Sequence, residues 1–259
     1  MSAETQYSPI IGMGQISTAN SNLDGTGTLV SAFTSAGDTF IKTINIKAIT
    51  NTTQGMVRLF LYDGTNTKLL QEVEIPAVTK SASDPAFETT IPINFCLKSG
   101  WVIKASTEKA ETFNVIVETL QWAYYTTSVR SDTTKYFAHN GSKTLSTANS
   151  NLDGTGTLGA LITAVSPGTI IKSINIKALQ NTTDGMVRIF LDNAAGTVRL
   201  FREIRVPAVT KSATAPSFHH KLNFPDGLFL KPGYVLQGST EKAETFKVVS
   251  ESVDLSYPA

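Results

Sequence analysis

The sequence predicts an all-β chain of two tandem antiparallel β-sandwiches that arose by internal duplication. Three observations predict it: apolar residues recur with period two, turn residues interrupt them about every ten positions, and most of the chain occurs twice. STANSNLDGTGTL at Ser17–Leu29 returns letter for letter at Ser146–Leu158. IKTINIKA (Ile41–Ala48) matches IKSINIKA (Ile171–Ala178), and NTTQGMVRLFL (Asn51–Leu61) matches NTTDGMVRIFL (Asn181–Leu191). PAVTKSA stands at Pro76–Ala82 and Pro207–Ala213, and STEKAETF at Ser106–Phe113 and Ser239–Phe246. The offset grows from 129 to 133, with the additions between matched blocks, at Asp192–Arg199 and near Pro225–Leu228. These blocks divide the chain into an N-terminal arm (1–14), copy one (15–125), a linker (126–143) and copy two (144–259).

Each copy reads as a succession of strands. Ile44, Ile46 and Ala48 alternate with Thr43, Asn45 and Lys47, and Val57, Leu59 and Leu61 alternate with Met56, Arg58 and Phe60. Leu69, Val73 and Ile75 are expected on one face, opposite Glu72 and Glu74. Phe87–Phe95 alternates through Thr89, Ile91 and Ile93. Trp101, Ile103 and Ala105 alternate with Val102 and Lys104, and Phe113, Val115 and Val117 oppose Asn114, Ile116 and Glu118. Asp24-Gly25, Gln54-Gly55, Asp63-Gly64, Asp84-Pro85 and Ser99-Gly100 mark the turns. Seven or eight short strands in about 110 residues fit a two-sheet sandwich. A jelly roll matches that count, although connectivity cannot be read from periodicity.

Composition narrows the function. Of 259 residues, 22 are basic and 21 acidic, and the net charge of +1 with no basic run argues against a nucleic-acid partner. Thr is abundant at 35 residues, as β-branched strand formers should be here. One Cys excludes a disulfide framework and a cysteine zinc site. No run approaches the roughly 18 apolar residues of a membrane helix, and Met1–Ile11 lacks the basic start and apolar core of a signal peptide. No membrane partner is expected, and synthesis in a host cytoplasm is.

Catalytic machinery is not expected either. A site belonging to the domain should occur in both copies, yet His139 falls in the linker, and His219 and His220 align with Glu88 and Thr89. That adjacent His pair is read as a surface pair, since strand neighbours point to opposite faces, with metal binding as the alternative. Cys96 is read as a small buried apolar residue. No cofactor motif occurs. Asn22 and Asp24, with their twins Asn151 and Asp153, offer oxygens to calcium, but one carboxylate per loop is few, and the other reading is a glycine-stabilised turn.

The remaining polar residues shared by both copies are interface candidates. Lys47 and Arg58, with Lys177 and Arg188, are read either as cross-strand ion-pair partners near Glu72 and Glu203 or as contacts to another subunit. Glu108 and Lys109, with Glu241 and Lys242, belong to a charged loop that is either solvated or an inter-subunit contact. Tyr7, Ile10 and Ile11 make the arm a docking strap or, alternatively, a strand completing its own domain. The loop blocks are more alike between copies than several strands are. Equivalent surroundings in a ring would produce that, with three two-domain chains forming a pseudo-sixfold trimer.

The blocks GMVRLFLYD (Gly55–Asp63), Pro76–Thr79 and Ala105–Glu118, with Gly185–Asp192, Pro207–Thr210 and Gly238–Glu251, resemble a recurring β-domain of tailed-bacteriophage structural proteins. The resemblance spans both copies and implies a virion component that assembles with other capsid or tail proteins. A capsid decoration or auxiliary protein that oligomerises leads this reading. The alternatives are a double jelly-roll major coat subunit and a carbohydrate-binding or receptor-binding tail or fibre module. A sugar platform would draw on Trp101, Trp122, Tyr124 and Tyr125, and a glycosidase on Glu108/Glu111 or Glu241/Glu244. The family's motifs carry no catalytic residues to transfer.

Overall fold

A computed structural model describes residues 5–124, 135–212 and 216–256. They form two compact units, and every named element among the described residues is a strand. The first unit holds β1 (Thr5–Ile16), β2 (Val30–Thr34), β3 (Thr39–Ala48), β4 (Gly55–Tyr62), β5 (Thr67–Ile75), β6 (Glu88–Leu97), β7 (Val102–Thr107) and β8 (Phe113–Tyr124). One sheet has the order β1-β8-β3-β6 and the other β2-β7-β4-β5, all antiparallel. Pairing is therefore nested: first with last, second with seventh, third with sixth, fourth with fifth. That nesting, divided between two sheets, is the jelly roll.

The second unit repeats it with β9 (Lys135–Ala138), β10 (Ser142–Leu145), β11 (Gly159–Thr163), β12 (Thr169–Ala178), β13 (Gly185–Asp192), β14 (Val198–Val206), β15 (His219–Leu230), β16 (Val235–Thr240) and β17 (Phe246–Ser256). Its sheets run β10-β17-β12-β15, with β9 also on β17, and β11-β16-β13-β14. The predicted fold class is thus observed, and its connectivity is supplied.

Alternation places the core. Ile16, Ile41, Ile44, Ile46, Phe113, Val115 and Val117 from one sheet meet Phe33, Val57, Leu59, Ile103 and Ala105 from the other. Each of the Ile, Val, Leu and Phe side chains contributes about 1.5–3 kcal/mol on full burial. A bulge between Leu59 and Phe60 of β4 and their partners on β5 corrects one expected face. The extra residue turns Leu70 toward the core and leaves Leu69 38% exposed.

The arm and linker boundaries also need correction. Thr5–Ile16 is β1, in continuous register with β8 from Thr5↔Tyr124 to Ile16↔Phe113. Ile11 is buried and Ile10 packs on the core cluster, so these two candidates complete their own domain; Tyr7 enters the same ladder opposite Trp122. The expected linker contains β9 and β10, which pair with β17 as β1 pairs with β8; residues 126–134 lie outside the described set. The reason is steric as well as hydrophobic. At Gly12 and at Gly141 a Cβ would collide with the carbonyl oxygens of Ala32 and Leu161, so each glycine lets the first strand cross close beside β2 or β11. The final step in the repeat offset lies inside a strand: β15 bulges between Asn223 and Leu228, where β6 bulges only between Pro92 and Phe95.

Candidate functional site

The residues shared by both copies converge at the loops beside β4 and β13. In the first domain they are organised by Arg58, which is 6% exposed. Period two puts it on β4 directly opposite Glu72 of β5, and its Nε donates to Glu72 Oε1 at 2.9 Å. Its Nη1 donates to the Asn20 carbonyl at 3.3 Å, and Nη2 lies 4.0 Å from Glu108. Arg188 repeats the arrangement with Glu203 at 3.0 Å, the Asn149 carbonyl at 3.2 Å and Glu241 at 3.8 Å. A buried guanidinium is tolerable only with carboxylates and carbonyl acceptors held this close to it.

The loop that supplies Asn20 is itself closed by side chains. Asn20 Nδ2 donates to the carbonyls of Thr26 and Thr28, and its Oδ1 accepts from the Asn22 amide. Asp24 Oδ1 accepts from the Thr26 hydroxyl and amide, which hold the Asp24 carboxyl below its ordinary range. Asn22 Nδ2 donates to the Thr26 hydroxyl. Asn149, Asn151, Asp153 and Thr155 make the same bonds. Gly27, at φ +79°, brings its Cα so near Asn20 that a Cβ would lie 2.7 Å from Oδ1. The Asp24 and Asp153 carboxylates are thus turn acceptors, and the Asn22 and Asn151 side chains are turn donors. No cluster of three or more acidic, His or Cys side chains forms around them among the described residues.

The other shared blocks join the same framework. Glu111 Oε1 accepts from the amide and hydroxyl of Thr53, as Glu244 does from Thr183. Thr52 donates to the Pro76 carbonyl and pairs with Val78, and Asn51 Oδ1 accepts from the Lys80 amide. Thr182, Val209, Asn181 and Lys211 reproduce this. Matching bonds within each domain therefore account for the loop identity between copies.

Several sequence readings change accordingly. Arg58 and Arg188 are cross-strand partners, buried from any other subunit. Lys47 is 1% exposed, with Nζ donating to the Ala86 carbonyl at 2.9 Å and Glu88 at 3.4 Å. Lys177 donates to the Ser217 carbonyl and faces His219 in register where Lys47 faces Glu88. Glu108 and Glu241 turn toward the arginines, Lys242 is half-buried, and Lys109 remains exposed. Cys96 is exposed, because β6 directs Ile91, Ile93 and Phe95 at the core and Cys96 lies on the alternate face. His219 and His220 are exposed on β15, a sheet edge. His139, missed as a structural residue, binds Asp254 through Nδ1 at 2.8 Å. Trp101 packs on the first core, and side chains at Trp122 and Tyr124, with all of Tyr125, lie outside the described set.

No protein-family model and no curated protein matches the chain. Among solved structures, the STIV MCP is similar at 11% identity over 97% of this chain and 98% of that chain, with a TM-score of 0.30. The major capsid protein of bacteriophage PM2 aligns at 15% identity over 95% and 98%, TM-score 0.22. The tandem CBM22 domains of Paenibacillus barcinonensis Xyn10C align at 8% identity over 97% and 92%, TM-score 0.25. At these TM-scores no functional conclusion follows, and the jelly-roll topology rests on the chain's own strand order.

Proposed function

We propose that the chain is a structural virion protein that works by assembly, with three copies closing a pseudo-sixfold ring on or in a capsid. The observation that supports it is the repetition of one complete jelly roll within a single chain. Two like-shaped units per chain let a trimer occupy the six positions of a hexagonal array. The resemblance of the shared blocks to bacteriophage structural domains points the same way. The charged residues common to both domains chiefly brace their own loops, so the proposed role involves no bond chemistry.

Contacts between chains would bury complementary surface on the order of 1,600 Å² per interface. Open sheet edges add backbone pairing: β5 is an edge with Lys68, Leu69, Gln71, Glu72 and Glu74 exposed. Decoration of a preformed particle leads, and the tandem jelly-roll topology favours the coat-subunit alternative. Electron microscopy of the purified chain, alone and mixed with empty capsids, tests the proposal. Co-sedimentation with capsids supports decoration, and closed shells support a coat subunit. A chain that neither binds capsids nor assembles overturns both.

A further inference from the structure

We infer that the second domain carries a binding site for a small oxyanion such as phosphate, which the first domain lacks. The site is a surface cavity of about 190 Å³ where β10, β11 and β16 meet. Ser146, Thr147 and Thr157 line it with hydroxyls, and Lys143 supplies a positive charge. No ion-pair partner holds Lys143 among the described residues. Ser239 also lines it, and its Oγ, like that of its first-domain counterpart Ser106, is buried without a hydrogen-bond partner, so the two domains differ here in the charge and the walls around that hydroxyl. A buried donor without an acceptor, hydroxyls around it and an unpaired ammonium form a set that an oxyanion satisfies.

The duplication provides the comparison. Ser146, Thr147, Thr157 and Ser239 have identical counterparts in Ser17, Thr18, Thr28 and Ser106. The changes lie in the walls: Lys143 replaces Gly14, Gly159 replaces Val30 and Gly238 replaces Ala105. Two side chains are deleted and a cation is added at one corner. The glycines are needed there, since a Cβ on Gly159 would lie 2.8 Å from the Lys143 stem and one on Gly238 3.0 Å from Leu145. Charge on the adjoining strand shifts the same way, because Lys247, in register with Thr144, stands where the first domain has Asn114 opposite Gln15. The site is independent of the virion reading.

Amide NMR of the full chain titrated with inorganic phosphate, at constant ionic strength with chloride as control, tests the inference. Saturating shifts are expected at Thr147, Gly159, Gly238 and Ser239, with none at Thr18, Val30, Ala105 and Ser106. Lys143→Gln keeps the stem over Gly159 and should weaken binding by about tenfold, the loss of one charge-assisted contact. Ser239→Ala should also weaken it, and Ser106→Ala should leave it unchanged. The inference is overturned by shifts that do not saturate, that appear equally in both domains or with chloride, or that survive Lys143→Gln at full affinity.

Discussion

The first domain opens with one unbroken strand, β1, where the second uses two pieces, β9 and β10, on either side of His139–Gly141. The first sets a carboxylate, Glu88, against Lys47, and the second sets His219 against Lys177. Its β4–β5 turn is fastened by Asp63, whose Oδ1 accepts from the Thr65 and Asn66 amides; in the second, Asn193 Oδ1 accepts from Ala195 and Thr197. Against these differences, the bonds around Arg58 and Arg188 agree within about 0.2 Å, position by position. Strand edges, bulges and turns have diverged, while the polar framework around the two arginines has not. A surface change is tolerated singly, whereas a buried donor or charge requires every partner to change with it.

The largest expected effect separates the two arginines. Arg188→Ala should destabilise the second domain by about 3–5 kcal/mol, since it removes the guanidinium that neutralises the buried Glu203 carboxylate at 3.0 Å. That side chain is 2% exposed. Arg58→Ala should cost the first domain less, about 1–3 kcal/mol, because Glu72 is 39% exposed and rehydrates. Amide-exchange protection in β13 and in β4 reads the two losses separately; equal losses would break the asymmetry. Next comes the glycine pair. Gly12→Ala and Gly141→Ala should each cost about 1–3 kcal/mol through overpacking, as loss of protection in β1 or β10. No loss at Gly141 would mean that β10 does not cross β11 as closely as β1 crosses β2.

The smallest effect is a pH dependence of the β4–β5 turn that its counterpart between β13 and β14 does not share. The Asn66 amide, then the Thr65 amide and Lys68, lower the Asp63 carboxyl from 3.8 to about 2. A carboxylate depressed on folding adds stability that is present above its unfolded pKa and is lost as pH falls through the folded one. The Thr65 and Asn66 amide signals should therefore titrate near pH 2, while Ala195 and Thr197 stay flat. Asp63→Asn should make the first turn behave as the second. Titration of both turns, or of neither, would remove this distinction.

Much of this architecture was legible in the sequence. Period two and the repeat gave the strands, and facing positions on neighbouring strands suggested Arg58 with Glu72. The sequence leaves the first strand as one of two readings of the arm and reads its twin as linker, because Pro9, Gly12 and Gly14 weaken the strand pattern and the twin carries His139, Asn140 and Gly141. A signal existed: Tyr7 and Gly12 recur as Tyr136 and Gly141 at the same offset of 129. Leu69 and Cys96 were assigned to the wrong side. A bulge changes the face on β5, and on β6 the inward set ends at Phe95 and Leu97, either side of Cys96. Loop bonds such as Glu111 to Thr53 join residues 58 apart, a proximity only the fold creates.

The proposed role requires two equivalent jelly rolls in one chain to build a pseudo-sixfold trimer. Sedimentation equilibrium of the purified chain across a wide concentration range tests it most directly. A dominant species with the mass of three chains is expected; a monomer persisting at the highest concentration would contradict the ring.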